Sequence, residues 1–322
     1  MLSCYNSLMD KALIILSDNN KGKFTSKGFS AAFKELSYFV IEKKIYDLNL
    51  SEISKIQPDI IFIFWTDMTQ KGTLETFLSN YKNEKTTFIH CAEFAADIPL
   101  NYKTLDSHYV FACDLPQKKN RYLASVNPKD YKTKFNGYNY NITFSGNPSY
   151  KNREIILSKL VRNFGTVNIF ARSYDFYKSV DDIYKCRLLD DFFMEAYRAS
   201  YRGYVDSTSE LAQIYASSKI NIDIENEIPK SISYRCLEIM ASGGFVIAPN
   251  NKELVKRFED GKELETYVND DDLADKIKFY MKNLNIAQLI ALNGKRAAVG
   301  NCSFYDRLKT MLKVIYGKDI SN

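Results

Sequence analysis

Short apolar runs recur along the chain, and segments with helical spacing separate them. In the first half these runs are KALIIL (11–16), PDIIFIFW (58–65), TTFIHCA (86–92) and HYVFACD (108–114). A strand wetted on one face alternates apolar and polar residues, whereas an unbroken run must be covered on both faces. Such strands belong to parallel sheets sandwiched between helices. The helical spacing of FSAAFKELSYFV (29–40) follows a polar stretch, DNNKGKFTSKG (18–28), which reads as a loop. The segment SVNPKDYKTKFNGYNYN (125–141) is polar, turn-rich and without period, so it reads as a linker. The pattern then restarts with the strands YNITFSGN (140–147), TVNIFA (166–171), KINIDIE (219–225) and GFVIAP (244–249). Helical segments accompany them: YKNREIILSKLVRNFG closed by Gly165, DSTSELAQIYASS capped at Asp206 or Ser207, NDDDLADKIKFYMKN, and the tail CSFYDRLKTMLKVIYG. The expected fold is α/β, with two Rossmann-like domains, 1–138 and 139–322, facing each other across a cleft. A chain of 322 residues is long enough for both to bury a core.

Several function classes are excluded. The net charge of +5 is modest and forms no dense basic stripe, so bulk nucleic-acid binding is not expected. A weakly positive chain can still meet a phosphorylated small molecule or the surface of an anionic membrane. Six cysteines form no CxxC pair, and the only histidines are His90 and His108, so neither a zinc ribbon nor a His-rich metal site is expected. Reduced thiols, no leader and no run long enough to span a bilayer point to a cytoplasmic protein, or one at the inner face of a membrane. The loop of Asp18, Asn19, Asn20, Lys21 and Gly22 carries one glycine and no GxGxxG fingerprint, which argues against a nicotinamide enzyme.

The stretch SYRCLEIMASGG (233–244) is the most informative. Arg235 and Glu238 share a face of an otherwise apolar helix that ends at Gly243–Gly244. Two readings follow: a surface ion pair worth ~0–1 kcal/mol, or charges lining a polar ligand. Ser231 and Ser233 suit N-caps, and the same geometry presents backbone N–H groups to a phosphate. Gly146 and Asn147 end a strand where ligands of parallel sheets sit, with Arg153 in the following helix. Asp223 and Glu225 make an acid–x–acid pair at a strand end, a pattern that elsewhere holds a divalent metal. His90, followed by Glu93, lies at a strand end, where an imidazole serves as a general base or as a satisfied core residue.

Residues 141–310 resemble the C-terminal domain of GT-B glycosyltransferases, in particular the group related to the spore-maturation protein CgeB. The resemblance rests on FSGNPSYKNR, SSKINIDI, R-x-x-E-I-M-A-x-G-G from Arg235 to Gly244, EL…FEDGKE from Glu253 to Glu263, the acid-capped helix after Asn269, and Tyr305 with Arg307. It implies a sugar transferase that takes a nucleotide-sugar as co-substrate, with no resident cofactor and no metal. Glu238 would accept from the donor ribose. Arg235 and Lys230 would meet the diphosphate, with His90 as candidate base. Ser231, Ser233, Gly146, Asn147, Arg153, Arg172 and Tyr204 would complete the donor side. Asp18, Asn19 and Asn20 would face the acceptor, a glycan or other molecule. Many retaining enzymes of this fold carry two glutamates separated by seven residues; Glu238 matches the second, and the first would fall at Lys230, which is not acidic. A nucleotide-sugar epimerase, another group transferase and a non-catalytic binder of nucleotide or glycan are the alternatives.

Overall fold

Each expected apolar run forms a strand in the computed structural model, which describes residues 9–16, 20–65, 71–92, 95–112, 115, 124–225 and 232–317. The chain divides into two compact units, 1–127 with 303–322, and 128–302.

The first unit runs β1 (Lys11–Leu16), α1 (Asn20–Glu35), β2 (Phe39–Lys44), α2 (Leu50–Ile56), β3 (Ile60–Trp65), α3 (Lys71–Asn80), β4 (Thr87–Ala92) and β5 (His108–Ala112). All neighbouring strands are parallel, in the order β2-β1-β3-β4-β5. β3 is buried at every position, as its composition requires. One face of the sheet packs Leu13, Ile15, Ile61, Ile63 and Trp65 against Ile53, Leu74 and Phe77. The polar stretch expected as a loop is instead the start of α1. That helix tolerates Gly28 because the ring of Phe304 lies where a Cβ would stand. Tertiary packing, not propensity, holds this helix.

The second unit continues with β6 (Tyr140–Ser145), α4 (Lys151–Phe164), β7 (Asn168–Phe170), α5 (Ser173–Lys185), α6 (Asp191–Arg198), α7 (Thr208–Ala216), β8 (Ser218–Ile222), α8 (Tyr234–Ser242), β9 (Val246–Pro249), α9 (Lys252–Arg257), β10 (Glu265–Tyr267), α10 (Asp270–Lys282) and α11 (Leu284–Asn301). Its sheet, also parallel, has the order β10-β9-β8-β6-β7. In chain order both sheets therefore repeat one scheme: second strand, first, third, fourth, fifth. The final helix, α12 (Phe304–Tyr316), returns to the first unit.

The division differs from the expected 138/139 boundary in two ways. The supposed linker is a strap of the second unit from Pro128 onward, because its polar groups are spoken for there. The Tyr131 hydroxyl donates to Glu238 at 3.2 Å, the Thr133 hydroxyl donates to the Ser242 carbonyl at 2.7 Å, and Gln213 exchanges two hydrogen bonds with the Lys134 backbone. At the other end, Phe304, Leu308, Met311 and Leu312 bury in the first unit with α12.

Candidate functional site

In a parallel sheet of this order the chain turns opposite ways on leaving the first and third strands, and the loops there part to leave a crevice at the carboxyl ends. In the second unit that switch point lies between β6 and β8. The β6 loop is Gly146–Asn147–Pro148–Ser149, and β8 runs out into Asp223–Ile224–Glu225.

Two arginines knit these loops together. Arg153, from the first turn of α4, is buried. Its Nε donates to the Ile224 carbonyl and its Nη1 to the Asn147 carbonyl, each at 2.8 Å. Burial, helped by the neighbouring Arg235, lowers its pKa to about 10. Arg235, from the first turn of α8, ion-pairs with Asp223 at 2.6 Å and donates to the Ile224 carbonyl at 3.2 Å. Both guanidinium groups lie over the ring of Phe144, at 5.6 and 4.9 Å from its centre. Burial works against the Arg235 charge, but Asp223 outweighs it and the group is held above its ordinary value. Gly146, with φ of +132°, is required on two counts: its backbone is left-handed, and a Cβ there would lie 2.7 Å from Arg235 Nη2.

The expected pairing of Arg235 with Glu238 is not made. Arg235 turns to Asp223, which is 2% exposed and also takes the Ser233 hydroxyl. Ser233 meanwhile caps α8 by accepting from the Cys236 N–H at 2.9 Å. A buried carboxylate needs a cation and donors, and α8 supplies both from its first turn. Asp223 is thereby engaged. Glu238 is left to Tyr131, whose hydroxyl donates to Oε1. Burial pushes the Glu238 carboxyl up to about 7, although Arg235 and Tyr131 both pull it down.

Asn147 accepts from the Ser149 N–H and hydroxyl at 2.8 Å each and donates to Asp175 at 3.1 Å. This fixes the β6 loop at the head of α4, whose N-cap Tyr150 gives no side-chain cap to the first-turn N–H groups. Arg172 follows β7 and lies 5.3 Å over the ring of Tyr204, which is half exposed and donates to Asp206 at 3.3 Å. Lys230, Ser231, Asp18, Asn19 and Glu93 lie outside the described residues, and of Asn20 only its place at the start of α1 is described.

His90 is not placed for catalysis. It sits inside β4, fully buried, with its Nδ1 accepting from Trp65 Nε1 at 2.9 Å and its Nε2 2.8 Å from His108 Nδ1. The Trp65 bond fixes the tautomer, so Nε2–H donates to His108. Burial, with His108 adding, lowers its pKa to about 3. No nitrogen is left to take a substrate proton. Sequence reasoning missed Tyr131 and Asp223 as partners of the α8 charges. Tyr131 stands in a segment without period, and the NIDIE pattern places Asp223 at a strand end without naming its partner.

A family model described as glycosyl transferase-like matches residues 153–313, half of the chain. The chain belongs to that family. The match begins at Arg153 and takes in α8 with Arg235 and Glu238. Solved structures similar to this family member share its fold at low identity. A glycosyltransferase from Rickettsia africae ESF-5 is 14% identical with a TM-score of 0.66, over 95% of this chain and 98% of that one. Sucrose-phosphate synthase from Thermosynechococcus elongatus is 11% identical with a TM-score of 0.65, over 96% and 98%. Anabaena Alr3699/HepE, solved in complex with UDP, is 11% identical with a TM-score of 0.62, over 96% and 100%. The two parallel five-stranded sheets are those of GT-B glycosyltransferases. No curated protein matches the sequence.

Proposed function

We propose that this family member moves a sugar from a nucleoside diphosphate sugar to an acceptor, and that the donor sits at the β6/β8 switch point. The observation that carries this is the convergence there of Arg235 with Glu238 on α8 and the uncapped start of α4, arranged around a loop that only glycine allows. Complexes of the similar Anabaena protein with UDP and with UDP-glucose support a donor of this class.

Glu238 accepts hydrogen bonds from the ribose hydroxyls. Ser233, with Lys230 and Ser231, belongs to the same donor side. Arg172 and Tyr204, at the carboxyl end of β7, offer a flat cationic and aromatic surface to the base. As the bond between the anomeric carbon and the diphosphate oxygen breaks, negative charge grows on the diphosphate. Arg235 and the N–H groups of α4 meet that charge in place of a metal. Arg153 acts one step back, by fixing both loops. The engagement of Asp223 by Arg235 and Ser233 supports the metal-free reading over an acid–x–acid metal site. The acceptor oxygen bonds to the anomeric carbon as the diphosphate leaves, and the acceptor's proton passes to the departing diphosphate or to solvent. The acceptor is a glycan, a glycoprotein or a modified nucleic acid, and the setting is a cytoplasmic, CgeB-like step such as polysaccharide assembly.

The test is a panel of nucleotide sugars incubated with the protein in excess chelator. Slow release of nucleoside diphosphate is expected. Activity that chelator abolishes and manganese or magnesium restores would overturn the metal-free mechanism. Epimer formation would reassign the chemistry, and binding without turnover would leave a binding protein.

A further inference from the structure

The second unit carries another feature at the opposite ends of its strands. A cavity of about 350 Å³ opens beside Ser218 at the start of β8 and Ser242–Gly243 at the end of α8, between the strap and α11. Phe135, Tyr138 and Leu292 line it, and none of its lining residues is acidic. Lys295 reaches in from α11, with its Nζ 3.3 Å from the Thr133 hydroxyl.

α11 carries apolar residues on both sides. Its inner side is buried through Ala287, Ile290, Ala291, Gly294, Ala297 and Ala298. Its outer side exposes Ile286, Leu289 and Leu292, at 39, 59 and 47%. These are spaced three apart and form one stripe. Phe135, 53% exposed, adjoins the stripe because it shares the cavity with Leu292. Asn285, Gln288 and Arg296 share that outer side, so the apolar side chains stand in a mixed face, and an exposed apolar patch rimmed by polar residues marks an interaction surface.

Charge says what the cover is. Residues 131–141 and 284–301 contain no Asp or Glu, and they supply Lys132, Lys134, Lys295 and Arg296. Lys132, Lys134 and Arg296 are exposed. The cations that the strap and α11 themselves contribute around this apolar stripe complement an anionic lipid surface, where aliphatic and aromatic side chains enter the boundary between headgroups and acyl chains while lysines meet phosphates. Among the described residues no helix is long and apolar enough to cross a membrane.

We infer that this face, the strap residues 132–138 with the outer side of α11, docks on an anionic bilayer. Ile286, Leu289, Leu292 and Phe135 enter the interface, Lys132, Lys134 and Arg296 pair with headgroup phosphates, and Lys295 offers a further cation at the cavity mouth. The carboxyl ends of β6 and β8 stay clear of that surface, so a docked protein keeps its switch point open.

The experiment is sedimentation of the full chain with phosphatidylcholine vesicles, with and without phosphatidylglycerol, at low and high salt. Binding is expected with the anionic vesicles only and is lost at high salt. Lys132→Gln with Lys134→Gln should weaken partitioning about 30-fold, at roughly fivefold per lysine. Leu289→Ser with Leu292→Ser should abolish it while leaving the unfolding midpoint and nucleotide-sugar binding in place, because both side chains are exposed. No binding to anionic vesicles, equal binding to neutral ones, or insensitivity to both variants would overturn the inference. So would a lipid-free dimer that Leu289→Ser with Leu292→Ser dissociates, since a second copy would then be the cover.

Discussion

Glu238→Gln should make the protein more stable and a poorer donor binder at once. Desolvation pushes the partly buried Glu238 carboxyl up to about 7 from the 4.5 of a free glutamate. Between those values the native state holds a proton that the unfolded chain has released. Stability therefore falls as pH rises through this window and is lowest above pH 7. The gap corresponds to about 3 kcal/mol. Glutamine has the same shape and no charge to desolvate, so the variant should match wild type at acidic pH and exceed it by up to about 3 kcal/mol at pH 8.5. Binding runs the other way. Hydrogen bonds to a charged acceptor are worth roughly 1.5–3 kcal/mol, so affinity at pH 8.5 for the nucleotide sugar that the panel selects should drop about 10- to 100-fold in the variant. In wild type the ionised fraction falls about tenfold from pH 8 to pH 6, and affinity should fall with it, whereas the variant should be flat. Urea unfolding and calorimetric titration with that nucleotide sugar across pH 5–8.5 measure both. A variant less stable than wild type at pH 8.5, or a wild-type affinity flat across the window, would refute the reasoning.

The Tyr131 hydroxyl favours the ionised form of Glu238, so Tyr131→Phe should move the midpoint of the wild-type affinity profile to higher pH; an unmoved midpoint would separate the two residues. Arg235→Ala and Asp223→Ala should each cost about 3–5 kcal/mol by stranding a buried charge, and the double variant should cost less than their sum in urea unfolding. Gly146→Ala should lose about 1–3 kcal/mol to backbone strain and reduce turnover as well, because the new methyl displaces the Arg235 guanidinium; donor kinetics on the folded protein check the second part. His90→Phe should spare kcat and lower stability by about 1–3 kcal/mol, since the Trp65 N–H is left without its acceptor; a large drop in kcat would restore a catalytic role for His90.

The parts of the fold legible in the sequence were those with a strong local signal. β3 could be read from IIFIFW because both of its faces are buried, and α4, α8 and α10 could be read from their caps and period. β2 was hidden because an edge strand, FVIEKK, is half exposed and charged like the surface around it. α1 was hidden because its Gly28 is explained by Phe304, far along the chain. α11 lacks a wholly polar face to set its period. At the site, Arg235 and Glu238 stood out as charges in an apolar helix, but their partners did not. Asp223 and Tyr131 reach them through tertiary folding, and no spacing rule connects residues so far apart. His90 shows the converse: the sequence suggests a strand end, whereas the residue lies inside β4 and its Trp65 and His108 partners are not visible in sequence.

The return of α12 has a practical consequence for anyone who would recombine this protein. The first unit is closed by two separate pieces of chain, joined where Val126 bridges Ser303 and the Phe304 N–H donates to the Val126 carbonyl at 3.1 Å. Phe304 packs edge-on against Phe24 and Phe29 of α1. A single cut near residue 127 or 138 therefore yields an amino-terminal fragment with an open hydrophobic wound and a carboxyl-terminal fragment trailing an orphan helix. Chimeras that exchange this unit for another must graft both pieces, with crossovers at 127/128 and 302/303. For expression of the second unit alone, the bounds that follow are 128–302.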